Sequence, residues 1–184
     1  MTITADKSDL RKQAAEARKA AHANVDPGPA LASLGVVLSE RAGRISFYWP
    51  IRTEIDPRPA VESLVGFREL CLPITDGRNP LTFRPWTPDT KLVPDGFGVP
   101  IPESGETVKP DVLIVPLLAF DSSLQRLGYG AGHYDRTLEL LRAEKPVVAI
   151  GLAYSAQEIE AVPTEPTDQP LDMIITEAGV HRLR

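Results

Sequence analysis

The sequence predicts an α/β fold in three layers, a central and mostly parallel sheet flanked by helices, on three observations. Helical-period and strand-period segments alternate along the chain. The run Val-Leu-Ile-Val-Pro-Leu-Leu-Ala-Phe at 112–120 is dominated by apolar residues, as in a strand buried on both faces. A glycine-rich stretch at 128–132 separates that run from a further helical segment.

The elements follow in order. Leu10, Ala14, Ala17 and Ala21 recur at three- and four-residue spacing and predict a helix over 4–24. Asp26-Pro27-Gly28-Pro29 breaks it, and a second helix is expected over 30–41, ending near Gly43. β-Branched and aromatic residues make 44–49 a strand. Asp56 before Pro57 reads as a capping carboxylate followed by proline at the first helical position, and that helix runs to about Phe67. Short strands are expected at 69–74 and 80–86, and an ordered loop rich in Pro and Gly at 89–109. The central strand spans 111–120, a helix 133–143 with Leu138 and Leu141 on one face, and an apolar strand 147–154. Strands at 173–176 and 180–183 complete a single domain over 1–184.

The composition excludes several classes of function. At 42% hydrophobic and 24% charged, the chain is not of the disordered type. A net charge of -5 argues against a nucleic-acid partner. The single cysteine, Cys71, rules out an internal disulfide and a zinc site built on paired thiolates. Between Leu70 and Leu72 it reads as a small buried apolar residue. No apolar h-region follows the early Lys7, Arg11 and Lys12, and the longest apolar stretch, 112–120, is far shorter than a membrane helix needs, so no signal peptide and no membrane segment are expected. The location implied is the cytoplasm.

The strongest local motif is Arg126-Leu-Gly-Tyr-Gly-Ala-Gly-His-Tyr-Asp-Arg136. Alternating glycines let a backbone approach a ligand closely, and the helix that follows offers free N–H groups to an anion. The same glycines also describe a plain turn. The spacing is neither that of a Walker-type loop nor G-x-G-x-x-G. Lys7 and Arg11, four apart with Arg18 near the same stripe, suit a polyphosphate or a solvated helix face. Asp135 is either a magnesium ligand or a partner of the helix dipole, and Asp168 either a magnesium ligand or a turn residue. Trp49 and Glu54 flank a strand end, where an aromatic face and a carboxylate suit a flat heterocycle. They equally describe a core tryptophan and a surface glutamate. His22 and His181 read as surface residues, while His133 lies within the loop.

In their order these landmarks resemble the 5-formyltetrahydrofolate cyclo-ligase family. The match runs through Lys7-x-x-Leu10-Arg11, Trp49-Pro50-x-x-x-Glu54, Gly98-Val-Pro-Ile-Pro-Glu103, the 126–136 motif, and Glu165-x-x-Asp168. The resemblance implies a Rossmann-like α/β domain that uses ATP with Mg²⁺ on 5-formyltetrahydrofolate, as a monomer. It assigns ATP binding to Lys7, Ser8, Asp9, Leu10, Arg11, Arg126, Leu127, Gly128, Tyr129, Gly130, Ala131, Gly132, His133 and Tyr134. It places the folate on Arg11, Trp49, Glu54, Tyr129, Gly130, Ala131, Gly132 and His133, and the metal on Asp135 and Asp168. Arg126 and Glu54 carry the catalytic roles. Ala131 and His133 depart from the residues usual in the family at those points. The alternatives to this function are a non-catalytic folate- or nucleotide-binding relative, and an ATP-independent isomerase or CoA-transferase-like enzyme.

Overall fold

The structure, a computed structural model, describes residues 3–183, with side chains from Lys7 onward; positions 1, 2 and 184 of the expected domain lie outside them. Two helices lead the chain, α1 (Ile3–Asn24) and α2 (Gly28–Ser39), separated by the predicted Pro-Gly break. Then follow β1 (Ile45–Ser46), α3 (Arg58–Glu62), β2 (Leu70–Ile74), β3 (Thr82–Trp86), β4 (Leu92–Pro94) and β5 (Pro100–Pro102). The second half runs β6 (Val112–Pro116), β7 (Ala119–Phe120), β8 (Arg126–Leu127), α4 (His133–Glu144), β9 (Val148–Leu152), β10 (Met173–Thr176) and β11 (Gly179–His181).

Seven strands form one sheet in the order β11-β10-β9-β6-β1-β2-β3. The five inner strands are mutually parallel, and β3 and β11 close the two edges antiparallel. Side chains alternate between two cores. Val112 and Ile114 of β6 join the core beneath α2 and α3, with Leu34, Leu38 and Val61. Leu113 and Val115 face the opposite core, with Leu138 and Leu141 of α4. Both sheet faces are covered, which is why the inner strands read as unbroken apolar runs. The expected three-layer α/β arrangement is the one adopted. Among the described residues no helix is long and apolar enough to cross a membrane.

Several boundaries differ from expectation for local reasons. The 111–120 run is two strands. Pro116 offers no N–H to the sheet, and past it the Leu118 N–H donates to the Leu127 carbonyl at 2.7 Å. The chain therefore leaves the sheet, and β7 pairs antiparallel with β8. The strand expected at 44–49 shrinks to β1, and the chain turns farther on, where the Glu54 N–H donates to the Ile51 carbonyl at 3.2 Å. Asp56 accepts the Arg58 N–H at 3.0 Å and grips the Arg58 guanidinium at 2.6 Å, but it is not the cap: Pro57 stands at the N-cap, not at the first helical position, and the helix begins at Arg58. The resulting α3 is five residues long and stops well short of Phe67. Within 89–109, β4 and β5 form a two-stranded ribbon, with Val93 opposite Ile101. The strand expected at 147–154 is trimmed to β9, and the last strand falls at β11.

Candidate active site

Strand order directs attention to one place. From β1 the chain proceeds to β2 on one side, and from β6 to β9 on the other. Their carboxyl ends thus flank a topological switch point, where the crevice of an open α/β sheet lies.

The segment after β1 folds back into that crevice. The Tyr48 hydroxyl donates to the Ile55 carbonyl at 2.6 Å, and Glu54 Oε2 accepts the Ile51 N–H at 2.8 Å. Arg52 takes a left-handed backbone, with φ at 54°, which tightens the turn. As a result Glu54 points inward and is only 6% exposed. Burial raises its pKa above the usual carboxylate value, and the Ile51 N–H, Arg18 and the Tyr129 hydroxyl offset only part of that.

Arg18 of α1 occupies the switch point itself, at 2% exposure. Its Nε donates to Thr53 Oγ1 at 3.1 Å and its Nη1 to the Leu117 carbonyl at 3.4 Å, so it spans the segments after β1 and β6. Its Nη2 donates to the Tyr129 hydroxyl at 2.6 Å, and Nη1 lies 3.8 Å from Glu54 Oε1. The Tyr129 hydroxyl in turn donates to Glu54 Oε1 at 3.3 Å. A buried guanidinium is thereby given a carboxylate and several acceptors, the condition under which such burial is tolerable.

The glycine loop hangs from β8 and is held by two arginines. Arg11 Nε donates to the Gly128 carbonyl at 3.0 Å, and a Cβ on Gly130 would lie 3.2 Å from the Arg11 guanidinium carbon. Gly132 caps α4 with φ at 68°. A Cβ there would lie 2.6 Å from Arg136 Nη1, while Arg136 Nη2 donates to the Ala131 carbonyl at 2.7 Å. The loop thus presents backbone at the N-terminus of a twelve-residue helix, beside cationic side chains.

A second set of charges lies at the foot of the loop. Arg126 donates to Asp135 Oδ1 at 2.7 Å and to the Gln169 carbonyl at 2.5 Å, and the Gln169 N–H reaches the same Oδ1 at 2.9 Å. Lys7, 8% exposed, donates to Glu165 Oε1 at 2.9 Å and to Asp168 Oδ2 at 3.4 Å. The Glu165 N–H donates to that same Asp168 oxygen. Each aspartate therefore has one oxygen engaged by the protein, leaving Asp135 Oδ2 and Asp168 Oδ1 without a protein donor among the described residues. Among those residues no group of three or more His, Cys, Asp or Glu is assembled as a metal cage.

Against this geometry, the family model of the 5-formyltetrahydrofolate cyclo-ligase family matches residues 3–177. The chain belongs to the 5-formyltetrahydrofolate cyclo-ligase family. A 5-formyltetrahydrofolate cyclo-ligase of Haemophilus influenzae is 34% identical over 147 residues, covering 76% of this chain and 78% of the relative. One of Mycolicibacterium smegmatis is 33% identical across 97% of both chains. Among solved structures, the 5,10-methenyltetrahydrofolate synthetase of Aquifex aeolicus superposes with a TM-score of 0.78 at 30% identity, covering 97% of this chain and 93% of that one. The Mycoplasma pneumoniae synthetase gives 0.73 at 25% identity, over 94% and 99%.

Not every residue named from the cyclo-ligase resemblance lies in these clusters. Lys7, Arg11, Arg126, Asp135 and Asp168 gather around the loop, and Glu54 and Tyr129 meet at the switch point. Ser8 and Asp9 are exposed, Asp9 lying 3.4 Å from Lys12, while Leu10 packs α1 against Leu118 and Leu127. Leu127 is core, and Tyr134 is partly buried against the α4 core. His133 Nδ1 lies 3.2 Å from the Asn79 carbonyl. Trp49 is half-buried, and its ring is covered by the Arg58 guanidinium at 4.4 Å. Arg18, expected only near the Lys7 and Arg11 stripe on a polyphosphate or a solvated helix face, is instead buried against Glu54 and Tyr129. Its signal was present: Lys7, Ala14, Arg18 and Ala21 fall on one helical stripe, and all four are buried.

Proposed function

We propose that the chain closes 5-formyltetrahydrofolate to 5,10-methenyltetrahydrofolate with ATP, releasing ADP and phosphate. The observation that carries this reading is its membership, over residues 3–177, in the family whose relatives bear that activity in their names.

Ring closure requires N10 to attack the formyl carbon and the formyl oxygen to depart, and oxide is a poor leaving group. Transfer of the terminal phosphoryl group of ATP to that oxygen breaks a P–O bond in ATP and forms one to the formyl oxygen. N10 then bonds to the carbon and loses its proton, and the C–O bond breaks as phosphate leaves. Such a transfer asks the protein for positioning and charge neutralisation more than for a nucleophile. The amides of 128–134 and the N-terminus of α4 cradle the phosphates. Lys7, Arg11 and Arg126 neutralise them, Arg126 through its fork. Glu54 orients the folate, with Trp49 and His133 at its flanks. Two half-engaged carboxylates fit a magnesium ion, which takes few protein carboxylates, so Asp135 and Asp168 would hold it. Bound there, the ion supplies charge neutralisation at the phosphates.

The chain works, in this reading, as one domain, a monomer in the cytoplasm. Mixing it with 5-formyltetrahydrofolate and MgATP, and following the near-ultraviolet absorbance of the methenyl product together with ADP, tests the activity. Equal rates of both products support it. Ligand binding without ADP release would make the chain a binding relative instead.

A further inference from the structure

Tyr129 stands between two glycines of the nucleotide loop, and the residue is 39% exposed. Its hydroxyl nevertheless reaches out of the loop to Arg18 Nη2 at 2.6 Å and to Glu54 Oε1 at 3.3 Å. Its ring faces two guanidinium groups, with Arg18 Cζ at 5.5 Å and Arg52 Cζ at 5.4 Å from the centroid. Arg18 in turn is anchored to Thr53 and to the Leu117 carbonyl, the segments after β1 and β6. One side chain of a glycine-flanked loop is thus bonded to the group that orients the second substrate. We propose that Arg18 is a positioning residue which, through the Tyr129 hydroxyl, ties the nucleotide loop to Glu54, so that the two substrates bind as a coupled pair.

The inference rests on the cyclo-ligase reading and deepens it. Glycine on either side leaves the loop backbone with little intrinsic order. Fixing 128–132 around phosphates also fixes Tyr129, and with it the Glu54 carboxylate. Engaging Glu54 with the folate fixes Tyr129 from the other side, and with it the loop. Whichever ligand arrives first bears the ordering cost of the shared unit, and the second bears less of it. The coupling is reciprocal, as any binding linkage must be. Tyr129→Phe removes only the hydroxyl. It keeps the ring and the stacked cations but takes one acceptor from the buried Arg18 guanidinium, so a thermal melt of Y129F accompanies the binding measurement.

The test is calorimetry of a non-hydrolysable ATP analogue with MgCl2, with and without saturating 5-formyltetrahydrofolate, on the wild-type chain and Y129F. The folate is expected to tighten the analogue by about fivefold or more in the wild type. In Y129F the two affinities are expected to become independent. A residue that merely supports the fold would weaken both ligands and leave their ratio alone. Independent binding in the wild type, or wild-type coupling in Y129F, overturns the proposal and leaves the cyclo-ligase reading intact. Failure of the wild type to bind either ligand overturns both.

Discussion

Arg126 and Asp135, nine residues apart, are locked by a 2.7 Å ion pair across the glycine loop. The other arm of the Arg126 fork holds the Gln169 carbonyl, so β8, the first turn of α4 and the 165–169 turn are tied into one unit. The loop is consequently anchored at its base by charge, and its middle is held by Arg11 at Gly128, by Arg136 at Ala131 and through the Tyr129 hydroxyl.

Asp135→Asn keeps an oxygen that accepts from Arg126 and Gln169 but removes the charge. The loss in stability is expected to be about 1–2 kcal/mol, since the pair is partly exposed. The Mg²⁺ concentration for half-maximal turnover should rise at least about tenfold, one lost charged contact. Titration of activity with MgCl2 at fixed ATP measures it. An unchanged midpoint takes Asp135 out of the metal site.

Glu54→Gln should raise the folate KM by roughly 10- to 100-fold, the loss of one hydrogen bond to a charged group, with the ATP KM less affected. The wild type carries a pH signature. Burial raises the Glu54 pKa, so, with Glu54 orienting the folate, folate affinity should fall as acid is added at a pH above the ordinary glutamate range. That acid limb should vanish in E54Q, and its persistence assigns it to another group.

Gly128→Ala and Gly132→Ala are expected to separate ligand approach from folding. A Cβ on Gly128 meets nothing within 4 Å, so G128A should keep the wild-type melting temperature and raise the ATP KM by crowding the ligand. Gly132 has φ at 68° and abuts Arg136. G132A should lose about 1–2 kcal/mol to left-handed strain as well as nucleotide affinity. Thermal melts and ATP KM values for both variants decide the matter.

Cys71 should be inert in the native chain. Its thiol is buried on the α4 side of β2, and burial pushes its pKa to about 12. At pH 8 almost none is thiolate. An aromatic disulfide reagent should release no colour from the native protein and one equivalent after denaturation. Rapid native labelling would place the thiol at the surface.

Most of the longer elements and the chemistry on offer were legible in the local sequence. Spacing over a few residues specified α1, α2 and α4, the doubly buried β6, the glycine loop and the buried thiol, because helix and strand periods and glycine's backbone freedom act between near neighbours. It placed Lys7, Arg11 and Arg18 near one stripe, but not which side of α1 would be buried. Only the tertiary structure made Pro116 the point where a continuous apolar run leaves the sheet. Only the adjacency of β1 and β6 set Arg18 against Glu54 and Tyr129, and only the return of the 165–169 turn set Lys7 against Asp168. These pairings join residues 36 to 161 positions apart (the sequence separation of each pair), a range at which strand order, and no local propensity, decides which charges meet.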